Sequence, residues 1–181
     1  MQRPPSRLLV GVGNILRGDD GIGVHVAHAV ASRRLPADVE VYDAGCMGLE
    51  AAVYLKDRRL VVVVDSIDAG AEPGEIFRLS PEQLRPYLQT GVSLHDFHLL
   101  DAIEETRMLG RAPGRVVVFA VQIADVSPGM RLSGAVAPKL ESVVRLTLRE
   151  LGISLTDQTT DDLASQTCSF GAGGAEVLPW E

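Results

Sequence analysis

The sequence predicts an α/β fold, a three-layer sandwich in which a mostly parallel, twisted sheet of about five strands is flanked by helices. Apolar segments of strand length alternate along the chain with segments of helical periodicity. Residues 60–64 (LVVVV) are continuously apolar, as expected for a parallel strand covered on both faces. With 181 residues, 46% of them hydrophobic, the chain can bury one substantial core.

The first half of the chain alternates between strands and helices. Residues 7–13 (RLLVGVG) form an apolar run that ends in glycines, which predicts a buried strand. Apolar residues at helical spacing predict a helix over 21–33. A strand over 39–43 and a helix over 49–56 follow, and the strand at 60–64 comes next. Strands joined through helices are expected to lie parallel.

The second half continues the pattern with one short addition. EIFRL at 75–79 predicts a short strand after a turn-rich stretch. A helix is expected over 95–108, a buried strand over 116–121 and a closing helix over 133–151. Pro138 would lie near the first turns of that last helix, where proline is tolerated.

The chain reads as one domain with a tail. We expect the domain to span residues 1–155, because residues 156–181 are rich in Thr, Ser, Asp and Gly, which predicts disorder. The N-terminal apolar run is too short for a signal peptide. No stretch approaches the roughly 20 apolar residues that cross a bilayer. These features predict a cytoplasmic protein without a membrane partner.

The composition also argues against nucleic acid as a partner. The formal net charge is -7, whereas binding a phosphate backbone requires clustered Lys and Arg. Aromatic residues make up 4% of the chain, so surfaces on which bases stack are scarce.

The segment GVGNILRGDDG, which follows the first strand, resembles phosphate-binding loops only in part. Leu16 stands where a Rossmann pattern requires glycine. A Walker pattern starts at Gly13 and Gly18 but then has Asp19 and Asp20 in place of Lys and Ser/Thr. Two carboxylates would repel a phosphate and suit a cation at the carboxyl end of a strand. The alternative is helix capping, which we expect for Asp19.

Two further groups are expected near the same edge of the sheet. Asp65 ends the LVVVV strand, and the alternative acid is Asp68 in the following loop. We prefer Asp65 because a strand fixes a side chain better than a loop does. His95 and His98 are one helical turn apart, a spacing that lets both face one metal ion.

Other candidate groups receive simpler interpretations. His25 and His28 show the same spacing on the first helix, where we expect them to lie on a solvated face. Cys46 is interpreted as a small turn residue. The chain contains no H-E-x-x-H or G-x-S-x-G motif. A ligand set of two carboxylates and one imidazole does not distinguish among zinc, iron, manganese and nickel.

Four motifs in order resemble those of the hydrogenase maturation endopeptidases: GVGNILRGDDGIGVHV, VYDAGCMGLE, VVVVDSIDAGAEPG and SLHDFHLLD. The resemblance runs from Leu8 to Leu151 and includes LSGAVAPKLESVVRLTLREL, which is similar to the last helix of that family. It implies a twisted sheet flanked by helices. Ala44 and Cys46 depart from the family pattern, in which glycine and threonine are usual.

The resemblance also implies a site and an activity. It assigns Asp20, Asp65 and His95, rather than His98, to a nickel-recognising site, and a supporting role to Asp43. Such enzymes remove a short C-terminal extension from the precursor of a [NiFe]-hydrogenase large subunit, with nickel carried by that precursor. Nickel would either activate the scissile carbonyl or a water, or only position the peptide while Asp20 serves as general base.

Three alternatives remain at this point. A checkpoint protein would recognise the nickel-loaded precursor without cutting it. A nucleotide-binding protein is disfavoured by the Asp19–Asp20 pair. A metal-independent peptidase on the same scaffold would be exposed by chelation followed by an activity assay.

Overall fold

The chain forms a five-stranded sheet with helices on both faces. The computed structural model describes residues 6–46, 51–88 and 94–154. The predicted α/β class and the mostly parallel sheet are confirmed. The predicted tail over 156–181 lies outside the described residues. None of the helices in the described ranges is long and apolar enough to cross a membrane.

Four strands are parallel, and the fifth closes one edge in the antiparallel sense. The spatial order is β2-β1-β3-β5-β4. Strand β4 pairs with β5 antiparallel, and the other three pairings are parallel. The carboxyl ends of β1 and β3 therefore lie side by side. The strands are β1 (Arg7–Val12), β2 (Val39–Gly45), β3 (Leu60–Ile67), β4 (Ile76–Leu79) and β5 (Val116–Gln122).

Most of the helices occur where periodicity predicts them. They are α1 (Ile22–Ala31), α2 (Ala51–Leu55), α3 (Pro81–Leu88), α4 (Leu94–Met108) and α5 (Leu140–Glu150). The sequence did not predict α3, because its residues are largely polar and only Leu84 among the side chains described there is fully buried. The last helix was predicted to begin too early. Pro138 lies in a short 3-10 turn, Ala137–Lys139, and α5 begins after it.

The sheet separates two apolar layers. Every residue of β3 is buried, so alternate side chains of this strand enter opposite layers. Val62 and Val64 pack with α1 and α5, and Val61 and Val63 pack with α2, α3 and α4. This two-sided burial accounts for the continuously apolar segment seen in the sequence.

Two glycines allow helix α1 to lie directly on the sheet. A Cβ atom at Gly23 would be 2.2 Å from the carbonyl oxygen of Val64 and 2.3 Å from that of Val12. A Cβ atom at Gly11 would be 2.3 Å from the carbonyl oxygen of Gly23. Main-chain atoms thus meet main-chain atoms, and the turn that precedes α1 is held over the carboxyl ends of β1 and β3.

Candidate functional site

Asp20 lies in a 3-10 turn, Gly18–Gly21, directly before α1. The backbone N–H of Asn14 donates to Asp20 Oδ2 at 3.2 Å. Gly13 has φ of 127°, and a Cβ atom there would lie 1.8 Å from the carbonyl oxygen of Asp20. Only glycine fits this backbone and this contact. The glycines of the motif therefore serve to bring Asp20 over the sheet.

Asp65 and Asp20 both bond to Ser66, one to its backbone N–H and the other to its hydroxyl. Asp65 is 2% exposed in strand β3, and its Oδ1 accepts the backbone N–H of Ser66 at 2.7 Å. The hydroxyl of Ser66, itself 4% exposed, donates to Asp20 Oδ1 at 2.9 Å. The structure thus brings two of the three predicted site residues to one place. Ser66 was not singled out in the sequence, where its position directly after Asp65 was the only signal.

His95 is the second residue of helix α4, which begins at Leu94. The side chains of His95 and His98 lie outside the described residues, so their predicted roles remain predictions. Among the side chains that are described, no group of three or more His, Cys, Asp and Glu residues is arranged to hold a metal ion.

Asp19 does not cap a helix, and the capping prediction is wrong. Helix α1 begins after Gly21 without a side-chain cap. The carboxylate of Asp19 is fully buried and accepts backbone N–H groups from Ala124 (2.9 Å), Asp125 (3.0 Å) and Ser133 (2.7 Å). These partners are distant in sequence, which is why local reasoning missed them.

Asp68, the alternative acid, is engaged in the turn that follows β3. Its Oδ1 accepts the side-chain amide of Gln122 at 3.1 Å and the backbone N–H of Gly70 at 3.4 Å. Gln122 Oε1 in turn accepts the N–H of Ala69 at 2.8 Å. Asp68 is exposed and stabilises this turn.

The two histidines of α1 differ from each other. His28 is exposed, as expected for a solvated face, but its Nε2 lies 2.7 Å from Asp43 Oδ2. His25 is partly buried, and its Nε2 has no hydrogen-bond partner within the described part of the chain. The solvated-face interpretation is therefore wrong for His25. Asp43, predicted to have a supporting role, also accepts the N–H of Gly45 at 3.0 Å.

These environments shift the pKa values of the two imidazoles in opposite directions. The hydrogen bond that the His28 ring donates to the Asp43 carboxylate raises the pKa of His28, whereas burial and the neighbouring His28 lower the pKa of His25. In an NMR titration of the ring protons, we expect His28 to titrate above about pH 6.5 and His25 below it. The Asp43→Asn substitution should lower the pKa of His28 and leave that of His25 below 6.5. A wild-type His28 that titrates below His25 would contradict this prediction.

The His28–Asp43 pair gives a small pH-dependent stabilisation. Because the folded-state pKa of His28 is raised, its contribution is complete below the unfolded pKa of about 6.5 and is lost as the pH rises through the folded pKa. The pair is exposed to solvent, so the contribution is expected to stay below about 1 kcal/mol.

Cys46 is an exposed turn residue that follows β2. Burial and the negative charge of Asp20 raise the pKa of its thiol, and Arg17 acts in the opposite sense. A raised thiol pKa disfavours the thiolate that nucleophilic catalysis requires. This agrees with the interpretation of Cys46 as a turn residue.

The fold is shared with solved endopeptidases. The hydrogenase maturating endopeptidase HybD of Escherichia coli superposes with a TM-score of 0.76 and 29% identity, covering 84% of this chain and 99% of that one. This similarity defines the class of the protein as an α/β endopeptidase.

Sequence comparisons identify the family. A family model described as hydrogenase maturation protease matches residues 24–150. A putative hydrogenase maturation protease of Methanocaldococcus jannaschii is 32% identical over 151 residues, 80% of this chain and 95% of the relative. The hydrogenase 2 maturation protease of Escherichia coli is 31% identical over 152 residues, 81% and 92% respectively. The chain therefore belongs to the hydrogenase maturation protease family.

Proposed function

We propose that this protease removes a C-terminal extension from the precursor of a [NiFe]-hydrogenase large subunit, and that nickel held by the precursor is the recognition element. The observation that carries the proposal is the meeting of Asp20 and Asp65 through Ser66 at the ends of two adjacent parallel strands. Membership of the protease family supports peptide-bond cleavage as the reaction. The two carboxylates support a cation as part of the recognised substrate, because negative charges attract it.

The two carboxylates suit a metal ion brought by the substrate. Asp20 accepts the hydroxyl of Ser66 and Asp65 accepts its backbone N–H, so both carboxylates lie at the same end of β3, where a divalent cation would favour their negative charges. Carboxylate oxygens and an imidazole are ligands that nickel accepts alongside the precursor's own ligands. Binding would then depend on the metal, and only a loaded precursor would dock productively.

The position of His95 supports its inclusion in the site. Helix α4 ends near the amino end of β3, because Arg111, which follows the helix, accepts the N–H of Asp57. The helix has 15 residues, so it extends about 22 Å back toward the carboxyl edge of the sheet. Its first turn, which contains His95, therefore approaches the edge where Asp65 lies.

The choice of position 95 over position 98 rests on the family resemblance, in which the histidine follows a Ser-x pair, as Ser93 and Leu94 precede His95 in this sequence. The helical register does not separate the two positions, because each is followed four residues later by a buried residue, Leu99 and Ala102 respectively.

The residues of this chain would act on the peptide as follows. In one mode nickel only positions the peptide, and Asp20 would take a proton from the attacking water as general base and return it to the departing amine, while the Ser66 hydroxyl holds the Asp20 carboxylate by its hydrogen bond. Asp65 is almost fully buried, and its Oδ1 is held by the backbone N–H of Ser66. In the other mode Asp20 and Asp65 would hold the nickel, which would supply Lewis-acid chemistry at the scissile carbonyl or at the water.

The proposal is tested by incubating the protein with a large-subunit precursor, with and without bound nickel, and measuring the precursor mass. We expect the loss of a C-terminal peptide only from the nickel-loaded precursor. Binding without a change of mass would show a checkpoint protein instead. Equal cleavage of the nickel-free precursor in the presence of a chelator would refute the role of nickel.

A further inference from the structure

The carboxylate of Asp19 is a buried group that the proposed reaction does not use. It is 0% exposed, and both of its oxygens accept backbone N–H groups. Oδ2 accepts from Ala124 at 2.9 Å and from Asp125 at 3.0 Å, and Oδ1 accepts from Ser133 at 2.7 Å. These donors belong to the segment 124–133, which follows β5. A carboxylate is tolerated in the interior when such donors replace water.

The same segment binds the main chain around Asp19. The N–H of Asp19 donates to the carbonyl of Asp125 at 2.9 Å, and the N–H of Gly18 donates to the carbonyl of Gly129 at 2.8 Å. The N–H of Gly129 donates to the carbonyl of Leu16 at 2.9 Å. A Cβ atom at Gly18 would lie 2.7 Å from the carbonyl oxygen of Asp125, so the contact is also close. Residues 16–19 and segment 124–133 thus form one hydrogen-bonded unit.

Asp19 and Asp20 are neighbours in one 3-10 turn but have different partners. Asp19 bonds to segment 124–133, whereas Asp20 bonds to the N–H of Asn14 and the hydroxyl of Ser66. A single turn of four residues joins the two carboxylates, so fixing one constrains the other.

We propose that Asp19 is a positioning residue, which holds the carboxylate of Asp20 beside Asp65 by anchoring their turn to segment 124–133. The inference rests on the proposed function only in that Asp20 acts on the substrate. The two aspartates of the motif then have different roles: Asp19 fixes the turn, and Asp20 acts on the substrate.

The first test uses Asp19→Asn and a reporter that does not touch Asp19. Asparagine has a single oxygen, so at least one of the three backbone donors would face an NH₂ group. The reporter is the amide of Asn14, which donates to Asp20 Oδ2. We expect its hydrogen exchange to accelerate roughly tenfold or more, because the net contribution of one hydrogen bond to a charged group changes a local opening equilibrium by about that factor.

The control is Val143→Ala, which shortens a fully buried side chain in α5. This substitution lowers global stability and lies outside the turn. It therefore shows how much loss of stability alone accelerates hydrogen exchange of the Asn14 amide. If Asp19→Asn speeds exchange at Ala124 and Ser133 but leaves Asn14 as in the control, Asp19 holds only the segment and the inference is overturned.

Activity supplies a second readout. We expect Asp19→Asn to lower kcat for precursor cleavage roughly 10- to 100-fold, with a smaller change in KM, while Val143→Ala keeps the wild-type kcat. A kcat equal to that of the control would overturn the inference. If the wild-type protein does not cleave the precursor, the proposed function fails, and the exchange of Asn14 still decides whether Asp19 positions Asp20.

A second variant covers the case in which Asp19→Asn does not fold. Gly18→Ala presses a methyl group against the carbonyl of Asp125, which would displace the turn, and it leaves both aspartates chemically unchanged. We expect faster exchange of the Asn14 amide and a lower kcat, in the same direction as Asp19→Asn. Wild-type values of both quantities in a folded Gly18→Ala variant would count against the inference.

Discussion

Substitution of Asp20 or Asp65 by asparagine is expected to abolish precursor cleavage and to leave the fold intact. Asparagine keeps the size of the side chain and one oxygen that can accept from Ser66, at 2.7 Å in Asp65 and 2.9 Å in Asp20. In Asp20→Asn the backbone N–H of Asn14 then loses its acceptor, which is one hydrogen bond near the surface of the fold. It removes the negative charge that attracts a cation or accepts a proton. The cleavage rate should fall by about 100- to 10,000-fold, measured as product formed over time by mass spectrometry.

The matched control is Asp68→Asn, which changes an aspartate three residues after Asp65 that is exposed and engaged in a turn. It should retain nearly full activity. Circular dichroism of all three variants would verify that they are folded. Wild-type activity in Asp20→Asn or Asp65→Asn would remove those residues from the site. Full activity in His95→Ala, with loss in His98→Ala, would show that the other histidine acts.

Gly23→Ala is expected to destabilise the protein although it lies inside a helix. Alanine is favoured over glycine in a helix by about 1 kcal/mol. The added methyl group, however, would lie 2.2 Å from the carbonyl oxygen of Val64 and 2.3 Å from that of Val12, and main-chain atoms cannot rotate away. Overpacking of this kind costs about 3 kcal/mol. The net loss should be about 2 kcal/mol, with a fall in Tm of roughly 4–8 °C.

The control for this substitution is Gly134→Ala, at a glycine with no heavy atom within 4 Å of the added methyl group. Its unfolding midpoint in urea should stay close to that of the wild type. A Gly23→Ala variant as stable as Gly134→Ala would show that α1 can lift from the sheet at little cost. If Gly23→Ala is folded but inactive at urea concentrations below its unfolding midpoint, the distance between α1 and the sheet also determines the geometry of the site.

The sequence predicted those features of the fold that depend on periodic burial. The continuously apolar β3 and the helical spacing in α1 and α4 led to the correct class and to a parallel sheet. Helix α3 was missed because its exposed positions are polar and its apolar face is narrow. The closing helix was extended too far toward its amino end, because Pro138 sets the start of α5 more strictly than apolar spacing does.

The common location of Asp20 and Asp65 could be predicted from the strand order. Asp65 lies near the carboxyl end of β3 and Asp20 in a turn after β1, and the carboxyl ends of these adjacent parallel strands meet at one edge. The role of Asp19 was not predictable, because its partners are backbone amides 105 or more residues away, and an amide has no sequence signature. Likewise, the burial of His25 Nε2 results from three-dimensional packing, which the local sequence spacing does not reveal.

The glycine contact between α1 and the sheet has a consequence for how this protein tolerates change. Because only peptide groups separate Gly23 from Val64 and Val12, no side chain acts as a spacer between the helix and the two strands. Substitutions among Val, Ile and Leu elsewhere in the interior would change the packed volumes around this contact but not the distance between α1 and the two strands. Main-chain atoms therefore set the distance between helix α1 and the strands β1 and β3, and this distance does not depend on the volumes of the side chains in the hydrophobic interior.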